Sequence, residues 1–325
     1  MKRFLKYLFR FLLLFIIAFV VFFFWASSST LDESEYAKLI KADGFQIPEN
    51  DSIFSVITYN IGYLSGMTNN RPIAKPKSLF DDNLQKVISE IQKIQPDIMA
   101  FQEIDYDASR SYNINQEEEI ANVGYGFRAR TINWDENYIP FPYWPFSMHF
   151  GKVVSGQSII SKYPLKDIQR NVLQRVADAP FHRDAFYIER LAQVVKVVLN
   201  GKEVVLINVH LEAFEKETRA NQFEEVLTIF NQYKNKYPTI LLGDFNSRAR
   251  DEQAVIQKMF KMTEVGSAAF NLENLENTFD TKAPFERIDY IFYTKNSIDY
   301  ISGKVLNEFG QASDHLPVFM EFKLK

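Results

Sequence analysis

The sequence predicts an α+β fold in which two β-sheets pack face to face with helices on the outside. Three observations predict it. Short apolar runs with strand character recur along the chain and mix with amphipathic helical stretches. Asn200-Gly201 separates two such runs, Leu191–Leu199 and Glu203–Val209, which is the signature of a tight antiparallel hairpin and argues against a single parallel sheet. No internal repeat, low-complexity tract or second domain boundary interrupts the pattern, so one two-layered core with outer helices accounts for the whole.

The N-terminus stands apart from this. Residues 1–10 form a basic segment carrying Lys2, Arg3, Lys6 and Arg10. An uninterrupted apolar run, residues 11–26, follows. As helix that run is about 24 Å long, and the residues before it extend it toward the roughly 30 Å hydrocarbon core if Lys6 and Arg10 snorkel. It is apolar on every face, unlike a helix packed in a soluble core. It reads as a single-pass transmembrane helix in the cell membrane, with the basic end in the cytoplasm and the remainder extracytoplasmic. The competing reading is a cleaved signal at Ala26-Ser27-Ser28, which would make the protein secreted. Residues 27–50 are polar and read as a stalk, leaving residues 51–325 as one catalytic domain.

Within that domain Ile53–Tyr59 is a β-branched and aromatic strand closed by Asn60-Ile61-Gly62. Leu84, Val87, Ile88, Ile91 and Ile94 recur at helical spacing, and Pro96 stops the helix. Asp97–Phe101 is a strand ending in Gln102-Glu103. Gly124–Arg130 and Ser158–Ser161 are shorter strands, and the aromatic, proline-rich segment 134–150 between them has no clean period. The hairpin ends at His210. A helix over Thr218–Tyr233 presents Phe223, Val226, Leu227 and Phe230 on one face. It precedes the apolar strand Pro238–Leu242, where Gly243 gives way to Asp244-Phe245-Asn246. Arg287–Tyr293 carries Asp289 inside a strand, and Leu316–Leu324 is the final strand, preceded by Ser313-Asp314-His315.

Composition excludes some chemistry. There is no cysteine, hence no disulfide, thiolate metal site or cysteine nucleophile. The formal net charge is −4 although four cations sit before residue 11. The domain is therefore acidic and has no overall polyanion-binding character, which leaves room for a local basic groove only.

Asn60, Glu103, His210, Asp244 with Asn246, Asp289, and Asp314 with His315 each sit at or within a separate apolar run. Strand ends of neighbouring strands lie close together, so these groups can converge. Singly, each has an ordinary alternative as a turn, cap or solvated end. An unpaired carboxylate such as Asp289 inside a strand is costly, which makes the ordinary alternative hardest to hold there. Carboxylates and amides without thiols are hard oxygen ligands suited to Mg²⁺ or Mn²⁺. A histidine backed by an acid is an oriented acid, base or oxyanion donor. Together these groups fit displacement at phosphorus.

Thr58-Tyr59-Asn60-Ile61, Phe101-Gln102-Glu103, Asn208-Val209-His210-Leu211, Gly243-Asp244-Phe245-Asn246, Arg287-Ile288-Asp289-Tyr290 and Ser313-Asp314-His315-Leu316-Pro317 resemble, in order, the motifs of the endonuclease/exonuclease/phosphatase superfamily, the DNase I-like proteins. The resemblance implies a four-layer αββα sandwich of mainly antiparallel sheets and a Mg²⁺-dependent phosphoric ester hydrolase. It implies that Glu103 is the main metal ligand, with Asn60 beside it and Asp314 near the metal. Asp244 would orient or deprotonate the attacking water, and Asn246 would help hold it. His210 and His315 would contact the scissile phosphate, with Asp289 orienting His315. Arg190 sits where some members place a phosphate-binding arginine, against the alternative of a surface ion pair.

The motifs leave the substrate open. A membrane tether and an acidic domain favour a lipid headgroup or other small phosphodiester over nucleic acid. Trp134 and Trp144, in the aromatic segment, are candidates for an apolar substrate wall or a membrane interface, with packing on a sheet face as the alternative. An extracytoplasmic nuclease and a catalytically silent binding module are the competing functions. Nothing in the sequence speaks to oligomeric state.

Overall fold

The computed structural model describes residues 1–49, 52–69 and 71–325. Asn50 and Asp51, where the sequence places the start of the catalytic domain, lie outside the described residues. In chain order, helix α1 (Lys2–Ala26) precedes strands β1 (Ala37–Lys41) and β2 (Phe54–Asn60). Helix α2 (Lys77–Ile94) leads into β3 (Ile98–Asp105), α3 (Gln116–Ala121) and the long pair β4 (Phe127–Ile139) and β5 (Gly151–Ser161). Strand β6 (Leu165–Val172), short helix α4 (Phe181–Asp184) and the hairpin β7 (Leu191–Leu199) and β8 (Lys202–His210) follow. Helix α5 (Lys216–Tyr233) leads to β9 (Thr239–Asp244). Helix α6 (Gln257–Phe260) and strands β10 (Val265–Ser267), β11 (Asp289–Thr294), β12 (Ile298–Val305) and β13 (Val318–Leu324) close the chain.

The strands form two mixed sheets. Their orders are β1-β4-β5-β3-β2-β13-β12 and β10-β11-β9-β8-β7-β6. The β2/β3 and β8/β9 pairs are parallel, each bridged by a helix, and the remaining pairs are antiparallel. Alternation along each strand divides the apolar residues between two faces. Val56, Ala100, Leu206, Leu242 and Met320 meet between the sheets. Ile57, Met99 and Phe101 face outward onto Phe80, Leu84 and Val87 of α2. Ile207, Leu241 and Phe292 face outward onto Phe223, Val226 and Phe230 of α5. The layers are thus α2, first sheet, second sheet, α5, the four-layer sandwich expected.

Amides cross the apolar middle layer. Gln102 donates to Asn208 Oδ1 at 2.6 Å and to Thr58 Oγ1 at 3.1 Å. Asn208 Nδ2 donates to the Phe101 carbonyl at 3.1 Å and to Gln193 Oε1 at 3.0 Å. Gln157 donates to the Asn208 carbonyl, and Gln193 to the Ala129 carbonyl. These bonds tie the β3 and β5 side of one sheet to the β7 and β8 side of the other.

Residues 27–50, expected to be a free stalk, are in part docked on the domain. β1 pairs antiparallel with β4, with Ala37 opposite Thr131 and Lys41 opposite Phe127. Asp135 accepts hydrogen bonds from the Thr30 and Leu31 amides, the Thr30 hydroxyl and the Tyr36 hydroxyl. One carboxylate on β4 collects this segment from about a hundred residues away in sequence, a contact that sequence periodicity does not reveal.

Two stability changes follow. Asn208→Ala removes the bonds from Gln102 to Asn208 and from Asn208 to Gln193 Oε1, leaving a buried Gln193 oxygen without its donor, and should cost about 3 kcal/mol, read as a lower urea midpoint. The second concerns Glu136, whose carboxyl is pushed up to about 8 by burial and by the neighbouring Asp135 charge. The folded chain keeps that proton at pH values where the unfolded chain, with its ordinary value of 4.5, has released it. Stability therefore declines as pH rises through that window. Melting temperatures measured across it should decline less steeply in Glu136→Gln than in the parent.

Candidate active site

The site lies where two parallel strand pairs end at one edge of the sandwich. Asn60 is paired with Gln102 at the end of β2/β3, and His210 with Asp244 at the end of β8/β9. Asp289 opens β11 directly opposite Asp244. Ser313 Oγ donates to the Asn60 carbonyl at 2.8 Å, which brings the loop before β13 to the same place. Glu103, His210, Asp244, Asp314 and His315 all line one open cleft of about 680 Å³, and Asn60 lies against it through Asp244. The convergence predicted for the strand ends is observed.

Local backbone explains the aim of individual side chains. β3 continues past Phe101, and its pairing with β5 shifts register between Phe101 and Ile104. Glu103 occupies that bulge with φ +52°. A bulge re-aims a side chain out of the strict alternation, and a left-handed non-glycine residue is strained. Asn246 is likewise left-handed at φ +47°. Gly243 has φ +135°, and a Cβ there would stand 2.0 Å from the Val209 carbonyl oxygen. Only glycine lets β9 run this close to β8 at the point where Asp244 emerges.

Asp289 and His315 form a buried pair, with Nδ1 of His315 3.0 Å from Asp289 Oδ2. The other ring nitrogen lies 3.8 Å from Asp244 Oδ2. Burial opposes charge on His315, yet Asp289 and Asp244 outweigh it and hold the imidazole well above its ordinary value. Burial first, and then the Asp289 charge, push Asp244 up to about 7. Asp244 Oδ1 accepts from the Asn246 amide at 2.8 Å, and Oδ2 accepts from Asn60 Nδ2 at 3.0 Å. Asn246 Nδ2 is held by the Leu211 carbonyl.

His210 behaves oppositely. Burial and the charge of Arg190 keep it well below its ordinary value, hence neutral. Arg190 Nη1 donates to its Nε2 at 2.8 Å. That nitrogen is also 3.7 Å from Glu103 Oε1 and 3.6 Å from Asp244 Oδ2. Arg190 is buried in the cleft wall and held by Glu212 at 3.5 Å, so the surface ion pair weighed from the sequence is not what forms.

Asp244, Asp289 and His315 place ligand-type atoms within 4.8 Å of one another. His315 already spends one nitrogen on Asp289, so this trio is a hydrogen-bonded acid–imidazole chain. The better fit to a cation is Glu103 with Asp314. Burial raises the Glu103 carboxyl, and the charge of Asp314 raises it further. Two hard carboxylates that repel each other in one cleft are relieved by a divalent cation. The residues present fit a divalent metal ion.

Sequence reasoning missed Asn69, which donates to Glu103 Oε2 at 2.9 Å, and Glu212, which anchors both Arg190 and Tyr187. Phe279 packs tilted against His315, with ring centroids 5.0 Å apart. Asn69 lies in a polar loop without period, and nothing in the sequence singles it out. Trp134 and Trp144, expected as substrate contacts, do not line the cleft. Trp134 packs on Phe150 with Arg110 over its ring, and Trp144 is exposed on the β4–β5 connection.

The sequence profile of the Endonuclease/Exonuclease/phosphatase family matches residues 57–315. The Escherichia coli protein YbhP is 22% identical over 241 residues, 74% of this chain and 88% of its own length. The endonuclease/exonuclease/phosphatase from Beutenbergia cavernae superposes with a TM-score of 0.62 at 21% identity, covering 84% of this chain and 72% of that one. D. rerio TDP2 complexed with a single-strand DNA product superposes with a TM-score of 0.57 at 17% identity, covering 84% of this chain and all of that one. At these identities the solved structures establish the shared fold.

The acid–imidazole pair carries its own test. Removing an opposite charge in contact lowers a histidine pKa by about 1–3 units. In Asp289→Asn, His315 should therefore lose its proton at distinctly lower pH, followed by the ring resonances in an NMR titration. An unchanged midpoint would mean that Asp289 is not what keeps His315 charged.

Proposed function

The chain belongs to the endonuclease/exonuclease/phosphatase family, a family of phosphoester hydrolases, and on that premise we propose that it is a membrane-attached phosphodiesterase. The proposed substrate is a lipid headgroup or another small phosphodiester, cleaved by water. The observation that carries the reaction is the buried Asp289–His315–Asp244 chain facing Glu103 and Asp314 across one cleft.

Each residue then has a task. Asp244, with a carboxyl up to about 7, is a base matched to neutral pH and takes the proton of the attacking water. Its Oδ1 accepts from the Asn246 amide and its Oδ2 from Asn60, so both oxygens are held in place for that transfer. His315, kept charged by Asp289, donates to a phosphoryl oxygen where negative charge builds. Arg190, whose guanidinium donates to neutral His210, binds the same group from the β8 side. Mg²⁺ or Mn²⁺ held by Glu103, with Asn60 and Asp314 beside it, would neutralise charge on the phosphoryl and leaving oxygens.

Helix α1 supports the lipid side of the reading. It is an apolar helix of membrane-spanning length near the N-terminus, a feature that anchors and signal sequences share. As an anchor with its basic end in the cytoplasm, it holds the catalytic domain outside the cell membrane, where headgroups are the concentrated phosphodiesters. A second reading has its own observation. Lys216, Arg219 and Arg248 line the mouth of the cleft beside the exposed ring of Phe214. A local cationic wall with an aromatic suits single-stranded nucleic acid, which would make the protein an extracytoplasmic nuclease.

The full chain in detergent should hydrolyse bis-p-nitrophenyl phosphate or sphingomyelin with Mg²⁺, stop with EDTA, and lose about a hundredfold or more in kcat as Asp244→Ala. Supercoiled plasmid runs in parallel. Nicking of plasmid alone would replace the lipid reading with the nuclease one. No turnover on any substrate with Mg²⁺ or Mn²⁺ would reject both.

A further inference from the structure

The contacts between α1 and β4 define a direction. Asp135 binds Thr30 and Leu31, Asn137 binds the Ser28 carbonyl, and Tyr138 meets the rings of Trp25 and Phe22 at 6.3 and 5.7 Å. As β4 advances, its partners step backward along the chain from residue 31 to residue 22. The end of β4 therefore runs alongside α1 toward the body of that helix, and the β4–β5 connection begins beyond Phe22. A second segment reaches the same level: Phe23 meets Phe181 and Phe186 at 5.7 and 5.6 Å.

What these two segments carry is unusual for a water-facing surface. Residues 140–150 contain no Asp, Glu, Lys or Arg. Within them Tyr143 is 72% exposed, Trp144 73% and Phe146 66%, and on α4 Phe181 is 76% exposed. Scattered exposed rings need no explanation, whereas a run of them without charge, as in residues 140–150, does, and α4 adds Phe181 with Arg183 and Asp184 beside it. Tryptophan and tyrosine favour the level where headgroups meet acyl chains, and phenylalanine the apolar side of it.

We infer that the β4–β5 connection and α4 form an aromatic collar around the emerging end of α1, seated in the headgroup and upper acyl region of the bilayer. The occupant of this surface is lipid, and the apolar helix leaving the patch is the reason. The domain then has a second attachment and cannot swing freely on α1. The segment that bears Phe181 and Phe186 continues within a few residues to Tyr187, bonded to Glu212, and to Arg190 in the cleft wall. Catalytic residues are thus tied to the membrane-seated surface by a short stretch of chain. This inference rests on the anchor reading of α1.

Trp25, Trp134 and Trp144 are the tryptophans of the chain, so two single-tryptophan versions separate the questions. One keeps Trp144 (W25F, W134F) and the other keeps Trp25 (W134F, W144F), both as full chains in nanodiscs. The lipid is phosphatidylcholine with or without bromine near the top of the acyl chains, and unchanged thermal unfolding serves as the fold control. The expected result is loss of about half or more of the emission of both tryptophans with brominated lipid, since an interfacial ring lies within quenching reach. Quenching of Trp25 with Trp144 emission unchanged would overturn the collar while leaving the anchor standing. Quenching of neither would remove the anchor and the collar together. Blue-shifted but unquenched Trp144 would mean that protein, such as a second copy, covers the patch, and would also overturn it.

Discussion

A set of buried amides determines where everything else in this molecule lies. Gln102, Gln157, Gln193 and Asn208 are fully buried between two apolar sheets. Apolar side chains packed face to face tolerate sliding, because one contact of that kind is nearly as good as the next. Amides do not, since a displacement of an ångström or two breaks a hydrogen bond with no water to replace it. The network therefore selects one relative position of the sheets. Gln102 is the residue before Glu103, and Asn208 stands two before His210. Fixing the amide pair at 2.6 Å places the two active-site residues across the cleft from each other. The register of the catalytic groups is set one and two residues behind them, in the core.

At the site itself the fold holds groups in states they would not choose. Glu103 and Asn246 have left-handed backbones, Asp244 and Asp289 are carboxylates without exposure, and Glu103 is repelled by Asp314. Each is unfavourable alone. They persist because rigid strand pairs on both sides leave no room for relaxation. The two histidines illustrate how the surroundings differentiate identical side chains. Asp289 keeps His315 charged, and Arg190 keeps His210 neutral, although both rings approach the same oxygen of Asp244.

The elements that the sequence predicts well are those with an apolar face on the core. The β7/β8 hairpin, α2, α5 and β9 fall where periodicity and the Asn200-Gly201 turn place them. Edge strands escape the same reasoning. Lys166, Asp167, Gln169 and Arg170 give β6 no alternation to detect, because one side of an edge strand faces water. β12 is exposed over most of its length for the same reason. β1 is hidden inside a segment whose polar composition reads as a stalk, and the bonds to Asp135 that dock it are invisible without the fold. Within the site, the motif residues were readable because acids, amides and imidazoles at strand ends are chemically distinctive. The left-handed geometry of Glu103, the support from Asn69 and Glu212, and the burial of Arg190 depend on tertiary contacts. Trp134 and Trp144 show the limit of composition: it identifies rings that need an apolar neighbour without saying which neighbour they have.

The junction between α1 and the domain bears on the life history of the chain. Ala26 is fully buried, and the hydroxyls of Ser27 and Ser28 turn back onto the carbonyls of Phe23 and Trp25. A processing peptidase needs a stretch of extended, accessible backbone. In the folded molecule the bond after Ala26 offers none, since helix lies on one side and the segment held by Asp135 and Asn137 on the other. The folded junction thus closes this bond to such a peptidase, and any cut there would have to come before β4 docks on the segment.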